Sequence, residues 1–265
     1  VQDKNGNKMS KRLGNAVDPF IAIDEYGADP LRWYMITNAS PWDNIKFDVD
    51  GVKEVSRKFF GTLYNTYQFF ALYANLDHYD PDKEATPYAQ RPEIDRWILS
   101  MLHSLIDEVT ASLEDYEPTR AGRAIEDFVE THLSNWYVRL SRKRFWVGDM
   151  TVDKECAYAT LYECLVTVAK LMAPIAPFYA DRLYRDLTLS DESVHLADFP
   201  VANKEVIDAV LERRMARAQA LTGMVLALRR KVNIKVRQPL SRILIPVLDP
   251  VLKEHIEAVK SLILN

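Results

Sequence analysis

Residues 119–147 read TRAGRAIEDFVETHLSNWYVRLSRKRFWV. Ile125, Val129, Leu133, Trp136 and Leu140 recur at steps of three and four, the period of one face of an α-helix. The same period runs through Val52, Val55, Phe59, Leu63, Thr66, Phe70 and Tyr73, to about residue 75. It returns in Ile94, Ile98, Met101, Leu102, Leu105 and Val109, over about 93–115. Residues 156–171 form another strongly apolar stretch, which Pro174 and Pro177 bend or interrupt before the pattern resumes to about 187. Polar breaks at 77–91 and Glu117-Pro118 separate these runs. Long amphipathic helices with short polar links predict a mainly α fold built on an antiparallel bundle.

The flanks differ from the centre. Residues 1–17 are a polar, basic loop. Asp18-Pro19 then reads as an N-cap followed by proline at the first helical position, and Gly27 as the stop. Asp29-Pro30 repeats the start signal for a helix over about 31–37, and Ser40-Pro41 and Asp43-Asn44 mark a loop. Past the bundle, SVHLADFP (193–200) is predicted extended, 204–231 a long charged helix, 243–247 a short strand and 250–264 a last helix. Three parts are expected: a loop and linker over 1–48, the bundle over 49–200, and a long helix opening a short α/β junction over 201–265.

Composition excludes several classes. The 265 residues are 48% apolar, too much for a disordered chain. No window holds ~18 uninterrupted apolar residues, and the N-terminal residues VQDKNGNKMSKR carry no apolar stretch, so neither a membrane span nor a signal peptide is expected. Two cysteines make no disulfide framework, and a cytoplasmic setting is expected. The scattered histidines and cysteines give no metal spacing, so no metal ligands are expected. The eight glycines spell neither a phosphate-binding Gly-rich loop nor a hydrolase elbow.

The net charge of −4 argues at first against a nucleic-acid partner. It averages over strong segregation. Residues 77–117 hold eleven acids against three bases, whereas 229–242 (RRKVNIKVRQPLSR) hold six bases and no acid, and 139–144 (RLSRKR) four bases.

Three basic constellations are candidate sites. In the first, Lys8-Met9-Ser10-Lys11 puts two lysines three apart on a loop, where compact movable charges can meet a polyphosphate. A disordered basic tail has the same composition. In the second, NWYVRLSRKRFW (135–146) sets Trp136, Arg139, Arg142, Lys143, Arg144 and Trp146 on one helix. Cations beside aromatic rings suit phosphates and unpaired bases. Core tryptophans beside a solvated basic face are the alternative. In the third, Arg229, Arg230, Lys231, Lys235, Arg237 and Arg242 straddle a helix end. Cations in a last helical turn also favour the macrodipole, but six bases without an acid exceed that need.

The string KMSKRLGN (8–15), followed by Asp18-Pro19 and YGADPLR (26–32), resembles the signature segment of class I aminoacyl-tRNA synthetases. Arg12 stands where serine is commonest, and with LGN it is most similar to the isoleucine-specific members. NWYVRLSRKRFW, LMAPIAPFYAD (171–181), SVHLADFP and KVRQPLSRILI (235–245) also resemble that branch, in order along the whole chain. The resemblance implies activation of isoleucine with ATP and magnesium, then transfer to isoleucine tRNA. It implies ATP binding by Lys8, Met9, Ser10 and Lys11, with Lys11 first and Lys8 second as catalytic residues. It implies tRNA contacts by the second constellation and by Arg229, Arg230, Lys235 and Arg237. No histidine here begins the family's His-x-Gly-His motif. The expectation is therefore a monomeric piece of a larger ligase, inactive alone and holding no cofactor by itself, with isoleucine and ATP reached through a catalytic domain elsewhere. A valine or leucine enzyme, and a helical interaction module without nucleic acid, are the competing readings.

Overall fold

The computed structural model describes residues 1–247 and 250–264, without the side chains of 251, 252 and 261–264. Two compact units emerge, Val1–Ile207 and Asp208–Asn265. In the first unit a two-residue strand, β1 (Gln2–Asp3), pairs in parallel with β2 (Lys46–Phe47). Between them lie a 3₁₀ turn at Lys11–Leu13 and helices α1 (Pro19–Tyr26) and α2 (Ala28–Thr37). The bundle follows as α3 (Val49–Val55), α4 (Gly61–Leu76), α5 (Glu93–Glu114), α6 (Pro118–Asp127), α7 (Arg139–Trp146), α8 (Val152–Met172) and α9 (Pro177–Thr188). The second unit holds α10 (Ala209–Lys231) and α11 (Pro250–Leu264), packed on each other. Among the described residues no helix is long and apolar enough to cross a membrane.

Local chemistry explains the boundaries. The Asp18 carboxylate accepts the Phe20 N–H at 2.9 Å and Gly27, at φ +88°, ends α1. Thr151 caps α8 through the Lys154 N–H, and Asp208 caps α10 through Val210 and Leu211. Two π-helical stretches, Ser56–Phe60 and Phe128–Val138, join α3 to α4 and α6 to α7 without a break. The quoted stretch is thus one long rod, with Ile125, Val129, Leu133 and Trp136 buried along it. It packs on α4 and α5, and α8 packs on α4, α5 and α6. Buried Trp97, Ile98, Leu102 and Val109 of α5 and Leu161, Cys164, Leu165 and Val168 of α8 supply the core between them.

Several expectations are corrected. The long charged helix starts at Ala209, because turns occupy 204–206 and Asp208 supplies the cap. Residues 243–247 form no strand: among the described residues the second unit offers only helices, so no ladder partner exists. Residues 193–200 contain a 3₁₀ turn at Val194–Leu196. Asp29 does not cap its own helix, which begins at Ala28. Its carboxylate accepts the Tyr179 N–H at 2.5 Å, at the start of α9.

That last bond is part of a clasp. Arg32 Nε donates to the Ile175 carbonyl at 2.9 Å, so α2 grips the proline-broken turn between α8 and α9 from both sides. Trp33 Nε1 donates to Glu126 at 2.7 Å while its ring stacks on Phe59 at 4.4 Å between centroids. Burial pushes the Glu126 carboxyl up, only partly offset by the Trp33 bond. The approach of α6 to α2 requires glycine at 122, where a Cβ would lie 2.6 Å from Thr37 Cγ2. Gly122→Ala is expected to destabilise the protein by about 1–3 kcal/mol in denaturant unfolding, with part recovered by Thr37→Ser. An unchanged midpoint would contradict this packing.

Candidate nucleic-acid interface

The lysine loop is built around two polar side chains. Asp3 accepts the backbone N–H groups of Asn5 and Asn7 at 3.0 and 2.8 Å and the Asn15 amide at 3.0 Å. The Asn15 bond and the backbone bonds hold the Asp3 carboxyl below its ordinary range. Ser10 Oγ accepts the Leu13 N–H at 3.2 Å, capping the 3₁₀ turn, and Gly14 at φ +66° closes it. Met9 turns inward against the Tyr34, Phe47 and Val52 cluster. Lys8, Lys11 and Arg12 remain exposed, and among the described residues neither lysine has an ion-pair partner. Two free ammonium groups on one anchored loop fit a polyphosphate. Among the described residues no group of three or more His, Cys, Asp or Glu is placed to hold a metal ion.

The basic helix end is set by a buried ion pair. Arg144 donates through Nη1 and Nη2 to the two oxygens of Asp95, each at 2.7 Å, and through Nε to Asp153 at 2.9 Å. Asp95 is fully buried and also accepts the Tyr137 hydroxyl at 2.7 Å. Burial works against the Arg144 charge, but the Asp95 bonds win and keep the guanidinium protonated well beyond its ordinary range. Burial pushes the Tyr137 hydroxyl up as well. Next to this pair, buried Lys154 reaches Asp77 at 2.6 Å and the Val147 carbonyl at 2.6 Å. Tyr158 donates to the same Asp77 carboxylate. Desolvation would raise the Asp77 carboxyl, yet the Lys154 and Tyr158 bonds bring it below its ordinary range.

The sequence-derived residues therefore divide. Arg139, Arg142, Lys143 and Trp146 are exposed, at steps of three, one and three along one face of α7, and Trp146 is 57% exposed. Trp136 is only 5% exposed, so its ring is core; Arg139 lies over it, 5.4 Å from the ring centroid. Arg144 is 13% exposed and fully engaged. Trp136 thus faces the bundle, and Arg144 is held by two carboxylates. Val147, Met150 and Val152, which sequence reading did not single out, are exposed as well. That reading missed Asp95, Asp77 and Lys154 too, since acids in a first helical turn and a lysine in a helix show nothing of partners far along the chain.

In the second unit Arg229 Nη1 donates to the carbonyls of Lys235 and Gln238 at 3.0 and 2.8 Å, folding residues 230–238 into a closed turn with Asn233 at φ +56°. Arg229 thus works as a staple, whereas Arg230, Lys231, Lys235, Arg237 and Arg242 stay exposed.

The first unit is mainly helical, carries an exposed basic-aromatic rod end and begins with an anchored lysine loop, the plan of a helical bundle joined to a basic loop. Residues 95–244 match the family described as the anticodon-binding domain of tRNA ligase, and the chain belongs to it. Residues 1–48 match the family of class I tRNA synthetases for I, L, M and V. The whole chain is 69% identical to 23% of the isoleucine--tRNA ligase of Porphyromonas gingivalis. It is 67% identical to 23% of that of Bacteroides thetaiotaomicron. With that of Thermus thermophilus it shares 46% identity over 92% of the chain and 24% of the relative. The chain thus spans about a quarter of the length of the curated relatives it matches. Among solved structures, the Agrobacterium radiobacter K84 agnB2 LeuRS in its ternary complex with tRNA and LeuAMS shares the fold. Its TM-score is 0.60 at 23% identity, over 78% of this chain and 23% of that one.

Arg144→Gln leaves Asp95 buried without its cation and is expected to cost about 3–5 kcal/mol. Arg142→Gln and Lys143→Gln are expected to stay within about 0.5 kcal/mol of wild type in the same denaturant titration. Equal stability of all three would contradict the division of the basic helix into a structural and a free part.

Proposed function

We infer that this chain is the part of an isoleucine--tRNA ligase that holds the anticodon region of isoleucine tRNA and carries the lysine loop for ATP. The observation carrying this reading is the free α7 face of Arg139, Arg142, Lys143 and Trp146, on a chain that aligns along its whole length with isoleucine--tRNA ligases. Guanidinium and ammonium groups displace counterions from phosphates, and an exposed indole offers a stacking surface to an unpaired base. The exposed cations of 230–242 extend the same chemistry.

The lysine loop serves the other half of the reaction. When isoleucine attacks the α-phosphate of ATP, negative charge builds on that phosphate and on the departing pyrophosphate. Lys11, with Lys8 beside it, supplies positive charge there, and losing one such preorganised group costs on the order of 10²–10³ in rate. Magnesium travels with the phosphates and adds charge neutralisation when bound. The activity belongs to the whole ligase, acting as a cytoplasmic monomer; buried, unpaired Cys156 and Cys164 suit a reducing compartment.

The test is binding of the chain to isoleucine tRNA and to the same tRNA with a substituted anticodon, each across a salt series. Tighter binding of the unsubstituted tRNA is expected, with affinity falling as salt rises by a slope of about 0.9 per phosphate contact. Equal affinities, unmoved by salt, would overturn the reading in favour of a helical module without nucleic acid. Preference for valine or leucine tRNA would move the assignment to those enzymes.

A further inference from the structure

We propose that Asn15, braced by Asp3, is the positioning residue that fixes the lysine loop in its working geometry. The proposal rests on the functional reading above and adds two residues to the machinery. Asn15 closes the KMSKRLGN string, four residues past Lys11, yet its one amide group spans the Lys8–Ser10 segment. Its Oδ1 accepts the Ser10 N–H at 2.9 Å, and its Nδ2 donates to the Lys8 carbonyl at 3.2 Å. Met9, between those two bonds, is thereby pinned with its side chain in the Tyr34, Phe47 and Val52 cluster. Pinning Met9 inward leaves Lys8 and Lys11 on the solvent side.

Asp3 orients the amide. Its Oδ2 accepts the second Nδ2 proton at 3.0 Å, which dictates which end of the Asn15 amide faces Ser10. Asp3 is itself fixed by the β1–β2 pairing and by the Asn5 and Asn7 N–H groups. The turn that returns the chain from Lys11 to Asn15 needs Gly14 in the left-handed region, and the Ser10 hydroxyl closes it onto Leu13. An asparagine is the side chain that meets all three demands, because it carries one acceptor and a two-proton donor on a short stem. Aspartate in its place would offer no donor and would face the Asp3 carboxylate.

The test uses the full-length ligase, reading isoleucine-dependent ATP–pyrophosphate exchange in wild type, Lys11→Ala, Asn15→Ala and Asn15→Asp. A misplacement of about 1 Å in a positioned group can cost on the order of 10²-fold. Asn15→Ala is therefore expected to lower kcat about that much with KM for isoleucine unchanged, and Asn15→Asp at least as far. In parallel, limited trypsin digestion is expected to cut Asn15→Ala faster after Lys8 and Lys11 than wild type. Wild-type exchange that collapses in Lys11→Ala upholds the functional reading on its own. Against that background, wild-type kcat and wild-type cleavage in Asn15→Ala would overturn the latch. A wild-type ligase without exchange would overturn the functional reading and the latch with it.

Discussion

A guanidinium and a carboxylate buried together are stable only as a pair. Removing two charges from water costs several kcal/mol each, and only excellent geometry with further hydrogen bonds repays it. Arg144 and Asp95 meet that condition with two parallel bonds at 2.7 Å, the Tyr137 hydroxyl and the Asp153 carboxylate. The pair joins the first turn of α5, the last turn of α7 and the start of α8. Such a junction fixes the rotation of the rod about its own axis. Once Arg144 points inward, Arg139, Arg142, Lys143 and Trp146 must point outward, by the helical repeat alone. The charge that looks most like part of the basic surface is thus the one that aims the rest.

The other end of the unit is tied with comparable care. Asp29 and Arg32 hold the α8–α9 turn, Trp33 holds Glu126, and the Thr119 hydroxyl donates to the carbonyls of Ile36 and Ala39 at 2.7 and 3.0 Å. These bonds join residues 1–48 to the bundle rather than hang them from it. The anchored lysine loop and the basic end of the rod therefore belong to one unit.

Much of this was legible beforehand. The helical period placed Ile125, Val129 and Leu133 in the core, and Asp18 and Gly27 bounded α1, because these features are local. Sequence reading failed where partners lie far apart in the chain. Arg144 and Trp136 belong to the same string as Arg142 and Trp146, and nothing local distinguishes a cation facing solvent from one facing Asp95. Asp29 carries every mark of an N-cap for its own helix but caps α9 instead, a choice made by packing. Residues 243–247 have strand composition, yet a strand exists only against a partner. The Asn15 latch was hidden for the opposite reason: its bonds are local, but an asparagine after glycine reads as an ordinary turn residue.

The claim on which the account rests is that the outward face of α7 meets unpaired bases of the anticodon. Titration of the chain's tryptophan fluorescence with an isoleucine-tRNA anticodon stem-loop tests it directly. Trp33, Trp97 and Trp136 are buried and serve as internal references, whereas Trp146 stands in the proposed contact. Saturable quenching is expected, largely removed by Trp146→Phe and retained in Trp42→Phe. Quenching that survives intact in Trp146→Phe, or no change with the wild-type chain, would contradict that contact.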